Sequence, residues 1–388
     1  MKKKLKLGLL VSHPIQYFVP IYREIAMSNE VDLTVLYLSR MGLDEYFDEG
    51  FGKTVKWDIQ LVDGYKHQFL SKKNKVEGIN WGIVSVLLRN RFDVILVHGY
   101  NNVTNLIAII VARLIGTKVL MRGDTRVQPQ HQHANLKAQL KRIIFKLCNG
   151  FVTIGTLNKN YFLQHGVPLD RLFFAPFCVS NEQFNVSAKR RVEFRQEIRV
   201  KLDLSSDSLI VLFVSKLISR KRADELIKAF ATLEEEFPNA CLVIAGSGED
   251  EGKLRSLAES LGVLQIRFLG FQNQTKLPAI YAASDIFVLP ADSEPWGLVV
   301  NEVMAAGVPV IVSSEVGAAA DLVEGKGTGI VYQCGDVVAL CRALGLLMRN
   351  SSQRQLMSSK ALELIRHWDT HECVLGILNA VATVVQKK

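Results

Sequence analysis

The sequence lacks long apolar runs and any metal-binding arrangement of cysteines. Its longest apolar stretches, such as residues 106–112, are far shorter than the ~20 residues that cross a bilayer. The six cysteines include no Cys-x-x-Cys pair and no cluster with histidine, which disfavours structural zinc and a disulfide framework and favours buried free thiols. The basic N-terminus is followed by neither a long apolar segment nor a small-residue cleavage site, so we expect no signal peptide and a cytosolic location.

The composition is that of a globular protein with an uneven charge. Hydrophobic residues make up 48% of the 388 residues and charged residues 22%, which excludes a disordered chain, a collagen-like chain and a coiled coil. The net charge of +9 divides into +13 for residues 1–200 and −4 for residues 201–388. The first half therefore suits an anionic partner, and nucleic acid, anionic lipid and a pyrophosphate-linked substrate all remain open on charge alone.

Two tracts alternate short apolar strands with helical patterns, which predicts two doubly wound parallel sheets in an α/β fold. The predicted strands are 5–11, 31–38, 94–97, 118–121, 151–154 and 172–174, then 209–214, 241–245, 266–269, 286–289, 310–312 and 330–332. We expect two Rossmann-like domains, 1–182 and 183–367, facing each other across a cleft that holds the active site. The last segment, 368–388, reads as a helix that packs back on the first domain.

The strongest motif is a pair of glutamates in the stretch DSEPWGLVVNE. Glu294 follows a predicted strand, and Glu302 lies about two turns into the helix that Gly297 opens. The first amides of that helix, at Gly297 and Leu298, suit a phosphate, whereas the carboxylates suit sugar and ribose hydroxyls. Taken alone, two such glutamates are more often a helix cap and a solvated helix residue, and it is the surrounding motif that favours a donor site.

This glutamate pair, continued by VMAAGVPVI, resembles the donor site of retaining GT-B glycosyltransferases, and the second domain resembles glycosyltransferase family four, the glycosyl transferases group 1. FVSKLISRKR resembles the basic element of that family, LVIAGSG its glycine turn, and RFLGF the segment that faces the nucleotide base. The resemblance implies that a nucleotide-sugar donor is held without a metal or other cofactor, UDP-sugar being favoured over GDP-sugar. The implied donor residues are Lys216, Lys221, Gly246, Arg267, Phe268, Glu294, Trp296, Gly297, Leu298 and Glu302.

The first domain resembles the family less, because VSHPIQY stands where many members have a glycine-rich loop. His13 and Tyr17 in that loop, together with His98 and Arg122 at two strand ends, are candidates for the acceptor side. Asp124 matches a family position close to the reacting sugar. Simple packing of Tyr17, or an ion pair that only fixes the loop of Asp124, is the alternative.

Motifs and resemblance together predict a retaining glycosyltransferase that transfers a sugar to a glycan or lipid-linked acceptor in cell-surface polysaccharide or lipopolysaccharide synthesis. The catalytic candidates are Asp124, Lys216, Lys221 and Glu294. A basic amphipathic segment, 136–147, favours contact with the inner face of an anionic membrane, and the lack of interleaved aromatic and basic residues disfavours nucleic acid. A nucleotide-sugar epimerase of the same fold and a non-catalytic nucleotide-binding module remain as alternatives.

Overall fold

A computed structural model describes residues 4–73, 78–126 and 136–387. The chain divides into two compact units. The first takes Met1–Tyr46, Ile59–Cys178 and Asp369–Lys388, and the second takes Phe47–Asp58 and Val179–Trp368. The predicted division at 182/183 therefore leaves one segment unaccounted for, because residues 47–58 from the first half of the chain pack with the second unit.

Strands and helices alternate along much of the chain, but residues 31–69 contain strands only, and residues 181–201 and 337–386 contain helices only. The strands are β1 (Leu5–Val11), β2 (Val31–Tyr37), β3 (Tyr46–Asp48), β4 (Lys53–Val55), β5 (His67–Phe69), β6 (Val94–His98), β7 (Lys118–Arg122), β8 (Gly150–Thr153), β9 (Leu172–Phe174), β10 (Leu209–Val214), β11 (Ala240–Ala245), β12 (Ile266–Gly270), β13 (Ile286–Leu289), β14 (Val310–Ser313) and β15 (Gly329–Tyr332). The α-helices are α1 (Val19–Met27), α2 (Gly82–Asn90), α3 (Val103–Leu114), α4 (Leu136–Leu147), α5 (Thr156–Gln164), α6 (Asn181–Phe184), α7 (Ala188–Lys201), α8 (Ala223–Leu233), α9 (Glu251–Ser260), α10 (Leu277–Ala283), α11 (Leu298–Ala305), α12 (Val337–Arg349), α13 (Ser351–Ile365) and α14 (Thr370–Gln386).

The first unit is built on a parallel sheet with the strand order β5-β2-β1-β6-β7-β8-β9. In β6 the consecutive residues Val94, Ile95, Leu96 and Val97 are all fully buried, so both faces of this strand are covered. Helix α14, at the end of the chain, packs on α1, β8 and β9 of this unit. The close approach of α14 to β9 depends on Gly376, because a Cβ at this position would lie 2.2 Å from a backbone oxygen of β9.

The second unit is built on a parallel sheet with the order β12-β11-β10-β13-β14-β15. Strand β11 is buried along its whole length, as expected for a sheet covered on both faces. The predicted α/β class with two parallel sheets is therefore confirmed. In both units the chain order reverses beside one strand, next to β1 in the first and next to β10 in the second.

Strands β3 and β4 form a separate two-stranded sheet outside the two parallel sheets. This hairpin lies in the long connection between β2 and β5. Among the helices of the described ranges, none combines the length and the apolar character needed to cross a bilayer.

Candidate active site

The reversal of strand order in the second unit brings two loops side by side. Strand β10 pairs with β11 on one side and with β13 on the other, and open α/β sheets bind ligands outside the carboxyl ends of strands at such a point. The loop after β10 carries Lys216 and Lys221, and the loop after β13 carries Glu294. The two predicted cations and the first predicted glutamate thus lie at the position where this topology favours a ligand.

Lys221 and Glu294 form a nearly buried ion pair at this point. The Lys221 ammonium donates to the Glu294 carboxylate, and the two side chains are 11% and 13% exposed. The Arg220 guanidinium lies 3.4 Å from the same carboxylate oxygen. Burial lowers the pKa of Lys221. The Glu294 carboxylate opposes this by favouring the ammonium form, whereas the charges of Arg220 and Lys216 lower the pKa further. Since cations outnumber the carboxylate here, the group of side chains suits an added anion.

The position of Lys216 depends on a close approach between two backbone loops. The Leu217 amide donates to the Ser247 carbonyl at 2.9 Å, which ties the loop after β10 to the loop after β11. A Cβ on Gly246 would lie only 1.8 Å from the carbonyl oxygen of Ser215. Gly246, a predicted donor residue, therefore allows the backbone contact that sets the Lys216 loop.

The backbone around Glu294 is held by hydrogen bonds to the loop after β14. The Glu294 amide donates to the Glu315 carbonyl at 3.0 Å, and the Gly317 amide donates to the Glu294 carbonyl at 2.9 Å. The residue that caps α11 is Gly297, with φ +91°, so the alternative that Glu294 is the cap is wrong. Because the first amides of a helix have no acceptor within it, the start of α11 from Leu298 onward offers donors to an anion.

Glu302 and Trp296 make contacts inside the second unit. Glu302 is 1% exposed, and the Tyr281 hydroxyl donates to its carboxylate at 2.5 Å. The alternative that Glu302 is a solvated helix residue is therefore wrong. The Trp296 indole nitrogen donates to Asn301 at 2.9 Å, and its ring stacks on that of Trp368 with 5.3 Å between centroids. Contacts of these two residues with a donor stay predictions.

Arg267 and Phe268 lie near the beginning of β12 rather than at its carboxyl end. The Arg267 guanidinium donates to the carbonyls of Leu202, Leu264 and Ile266 at 3.1–3.3 Å. The Phe268 ring lies under the guanidinium of Arg255 at 4.3 Å. Both side chains are thus engaged within the sheet and its neighbouring helix, and the residues that follow the strand end begin with Phe271.

The first unit has a cavity of about 390 Å³ at the carboxyl ends of its strands. Four predicted residues line it, namely Tyr17, His98, Arg122 and Asp124. The rest of the lining combines aromatic and aliphatic residues with three asparagines, and it includes the hydroxyl pair of Tyr100 and Tyr161, 2.6 Å apart. The structure therefore brings the predicted acceptor-side residues of three different loops together around one space.

Two histidines are held neutral, namely His98 in the lining of this cavity and His13, a predicted acceptor-side residue that is not part of the lining. Burial lowers the pKa of His98 to about 3, and the charge of Arg122 adds to the effect. Burial also lowers the pKa of His13 to about 4. His13 is 2.9 Å from the hydroxyl of Ser12, which lines the cavity. A neutral imidazole carries one donor and one acceptor nitrogen, so His98 can exchange a hydrogen bond with a hydroxyl group.

Arg122 and Asp124 differ in what their side chains meet. Arg122 is 3% exposed, with its guanidinium 3.2 Å from the Cys373 sulfur on α14 and about 6 Å from the ring centroids of Phe18 and Phe177. Asp124 is exposed at the margin of the cavity. Arg122 therefore joins the cavity to the final helix, whereas Asp124 is accessible to a ligand.

Two residues at the donor side had no place among the sequence predictions. Asp48 pairs with Lys216 at 2.7 Å, and Arg220 lies beside Glu294. Arg220 follows from the basic stretch SRKR, once its neighbour Lys221 is known to face a carboxylate. Asp48 is 168 residues from Lys216 in the sequence. The glycines between β3 and β4 are typical of a hairpin turn, but they do not indicate that Asp48 pairs with Lys216.

Within the described residues, no group of three or more His, Cys, Asp or Glu side chains is placed to hold a metal ion. The independence from metals and other cofactors stays a prediction.

The profile of the family "Glycosyl transferases group 1" matches residues 194–363, which include the Lys216 and Glu294 loops. This segment is a glycosyl transferases group 1 domain. An uncharacterized glycosyltransferase of Methanocaldococcus jannaschii is 40% identical over 147 residues, which cover 38% of this chain and 36% of that protein. The lipopolysaccharide core biosynthesis glycosyltransferase LpsE of Rhizobium meliloti is 32% identical over 168 residues, 43% of this chain and 47% of LpsE. The chain thus spans less than half the length of these two relatives.

The glycosyl transferases group 1 domain and the first unit together share their fold with a solved structure. The crystal structure of Anabaena HepE in complex with UDP has a TM-score of 0.77, 16% sequence identity, and coverage of 98% of this chain and 100% of HepE. At this identity the likeness shows the fold alone, which is that of the two-domain GT-B glycosyltransferases.

Proposed function

We propose that the protein is a retaining glycosyltransferase that transfers a sugar from a nucleoside diphosphate sugar to a hydroxyl group. The observation that carries this proposal is the Lys221–Glu294 pair, with Lys216 nearby, at the switch point of a glycosyl transferases group 1 domain. Cations in a poorly hydrated site stabilise a leaving diphosphate, whose charge grows as the glycosidic bond breaks, more than they stabilise the bound donor.

In the proposed complex the second unit binds the donor. Lys216, Lys221 and the first amides of α11 hold the diphosphate, and the Glu294 carboxylate accepts hydrogen bonds from sugar hydroxyls. UDP is the favoured nucleotide because HepE, with the same fold, was crystallised with UDP, and GDP remains the second choice.

In the proposed reaction the bond between the anomeric carbon and the diphosphate oxygen breaks, and the acceptor oxygen bonds to that carbon from the same face. The acceptor proton passes to the departing diphosphate oxygen, so no protein nucleophile is needed. Asp124 is exposed at the margin of the first-unit cavity and acts by positioning the acceptor or the sugar.

The acceptor is proposed to bind in the cavity of the first unit. Its aromatic walls suit the apolar faces of a glycan or the start of a lipid-linked acceptor, and neutral His98 suits a hydroxyl. The similarity to LpsE supports a role in lipopolysaccharide or related cell-surface polysaccharide synthesis.

Contact with an anionic membrane is part of the proposal. Helix α4 exposes Leu140 and Ile143, 56% and 57% exposed, beside exposed Arg142 and Lys146. The side chain of Lys137, which belongs to the predicted basic segment 136–147, lies outside the described side chains. Apolar groups next to cations are typical of a helix that lies on an anionic lipid surface.

The test uses Lys221→Ala and Glu294→Gln, each measured for binding of UDP, for binding of UDP-sugars, and for sugar transfer. We expect Lys221→Ala to weaken UDP binding by about tenfold or more, since charge-assisted hydrogen bonds contribute about 1.5–3 kcal/mol. Glu294→Gln should bind UDP nearly normally but lose affinity for UDP-sugar and lose transfer, because the acceptor-only carboxylate meets the sugar rather than the phosphate.

Two exposed residues give matched controls, Lys253→Ala and Glu259→Gln, which should leave binding and transfer unchanged. Unchanged transfer in both Lys221→Ala and Glu294→Gln would overturn the proposed site. Isomerised sugar from donor alone would instead identify an epimerase, and nucleotide binding without any turnover would identify a binding module.

A further inference from the structure

A short hairpin from the first half of the chain lies on the proposed donor site. Residues Phe47–Asp58, here called the hairpin cover, belong to the second unit, although they lie in the connection between β2 and β5. Its strands β3 and β4 contain three residues each and form a sheet of their own. An isolated two-stranded ribbon of this length is marginally stable in water, so the hairpin cover depends on what it packs against.

The hairpin cover presents an anion to Lys216. One carboxylate oxygen of Asp48 accepts hydrogen bonds from the Lys216 ammonium at 2.7 Å, the Gly50 amide at 2.9 Å and the Phe51 amide at 3.1 Å. The Phe51 ring lies 4.6 Å from the same ammonium. An anionic oxygen held by a lysine and two backbone amides resembles, in its surroundings, a bound phosphate oxygen.

Asp48 carries its charge at neutral pH. Burial opposes its ionisation, but the hydrogen bond and charge of Lys216 and the two hairpin amides outweigh burial and lower the pKa of Asp48. In the proposed donor complex, a phosphate would have to compete with this carboxylate for Lys216.

The remaining contacts of the hairpin cover lie on the loops after β11 and β12. The Ser247 hydroxyl donates to the Phe51 carbonyl at 3.0 Å, and the Phe271 ring meets that of Phe51 edge-on at 4.8 Å. Trp57 packs on Phe271 as well, and Thr275 donates to Asp58. These loops follow the carboxyl ends of β11, which pairs with β10, and of β12, which pairs with β11, so the hairpin cover occupies the edge of the sheet where such folds bind a ligand.

We propose that the hairpin cover is a displaceable lid whose Asp48 holds the place of a donor phosphate on Lys216. Binding of a nucleoside diphosphate breaks the Asp48–Lys216 pair and transfers Lys216 to the ligand. This inference rests on the proposed function, since it needs Lys216 to bind the diphosphate.

The test compares UDP binding by calorimetry in the wild type and in Asp48→Asn, with Glu49→Gln as the matched control. Glu49 is the exposed neighbour in sequence, and its variant removes the same charge without touching Lys216. We expect Asp48→Asn to lower the Kd for UDP by roughly three- to fivefold, the upper part of the range for an exposed ion pair. Glu49→Gln should change the Kd by less than about twofold.

Unchanged or weaker UDP binding in Asp48→Asn would overturn the lid and indicate that Asp48 orients Lys216. An equal decrease in the Kd for UDP in Asp48→Asn and Glu49→Gln would mean that only the net charge matters, and it would also overturn the proposed lid. If neither UDP nor GDP binds the wild type, the proposed function fails instead.

Movement of the hairpin cover has its own signal, because Trp57 is part of it. UDP should change the tryptophan emission of the wild type more than that of Trp57→Phe, which should still bind UDP, and the difference is the contribution of Trp57. An emission change of the same size in both proteins would contradict displacement of the cover.

Discussion

Lys221 is a donor-site residue whose chemistry is altered by its surroundings. It is nearly buried, paired with Glu294, and close enough to Arg220 and Lys216 for their charges to act on it. Burial and these two cations lower its pKa, so part of its charge is lost at a pH where a surface lysine remains fully charged. In the proposed donor complex, the charge of the diphosphate opposes this effect by favouring the ammonium form.

This perturbation predicts the pH dependence of donor binding. As pH rises through the lowered pKa of Lys221, the wild type should lose affinity for UDP, approaching about tenfold per pH unit once the lysine is neutral. Lys221→Arg keeps its charge across this range. Calorimetric titrations of both proteins between pH 7 and pH 9.5 check the prediction.

The comparison of the two proteins removes the titration of UDP itself, which is common to both. The ratio of the wild-type Kd to the Lys221→Arg Kd should rise with pH, whatever the absolute affinity of the variant. A ratio that stays constant would mean that Lys221 remains charged throughout and that its burial has no consequence for binding.

Among the elements, α14 shows how a distant segment of chain completes the first unit. Its Cys373 sulfur lies 3.2 Å from the buried guanidinium of Arg122 at the end of β7. Arginine stays protonated in proteins, so a buried guanidinium needs an anionic partner. Burial opposes ionisation of Cys373, but the hydrogen bond from Cys178 and the charge of Arg122 lower the pKa of Cys373 to about 6.

The contribution of the Arg122–Cys373 contact to the stability of the folded state should depend on pH in a defined direction. The folded pKa of Cys373 lies below its ordinary value of 9.0, so ionisation stabilises the folded state fully above pH 9, and the contribution is lost as pH falls through about 6. Cys373→Ser should therefore lower the melting temperature more at pH 8.5 than at pH 6, by at least about 2 °C.

Cys341→Ser is the control, because burial raises the pKa of that thiol and it stays protonated at both pH values. Equal losses at pH 6 and pH 8.5 for Cys373→Ser would show that Cys373 remains a thiol beside Arg122. The measurement is thermal unfolding followed by circular dichroism at the two pH values.

Elements that are encoded by neighbouring residues can be predicted from the sequence, whereas contacts between residues far apart in the sequence cannot. The apolar runs of β6, β10 and β13 predict buried parallel strands because both faces of each are covered. The positions of Lys216 and Lys221 after β10 follow in the same way. The hairpin cover and the Arg122–Cys373 contact do not, because their partners are 168 and 251 residues away and no spacing rule connects them.

The burial of Glu302 is a second limit of the sequence. Its motif position predicts a carboxylate near a ligand, but the partner hydroxyl comes from Tyr281 on another helix. An amphipathic pattern gives the face of a helix and not the identity of the group that packs against it.

At the scale of the whole molecule, the positive charge is concentrated in the first half of the sequence, and that half also contains a surface that is both apolar and basic. Helices α3 and α4 contact each other. The exposed large residues Ile110, Leu114, Leu140 and Ile143 lie on these helices, with Arg142 and Lys146 exposed beside them on α4. We call these six residues the α3–α4 surface. Scattered exposed apolar residues are ordinary, but their combination with cations on adjacent helices indicates an amphipathic face.

The α3–α4 surface predicts binding to anionic vesicles through two separable contributions. Leu140→Ser/Ile143→Ser should weaken association at every salt concentration, since each buried methylene contributes about 0.8 kcal/mol. Arg142→Gln/Lys146→Gln should weaken it mainly at low salt, by about 1 kcal/mol for each charge near the surface. Flotation with phosphatidylglycerol vesicles, and with phosphatidylcholine vesicles for comparison, measures both effects.

The control is Leu264→Ser/Val338→Ser, at exposed positions of the second unit, which should bind vesicles as the wild type does. If the wild type fails to float with anionic vesicles even at low salt, the acceptor reaches the enzyme from solution and the exposed apolar residues have no role in membrane contact.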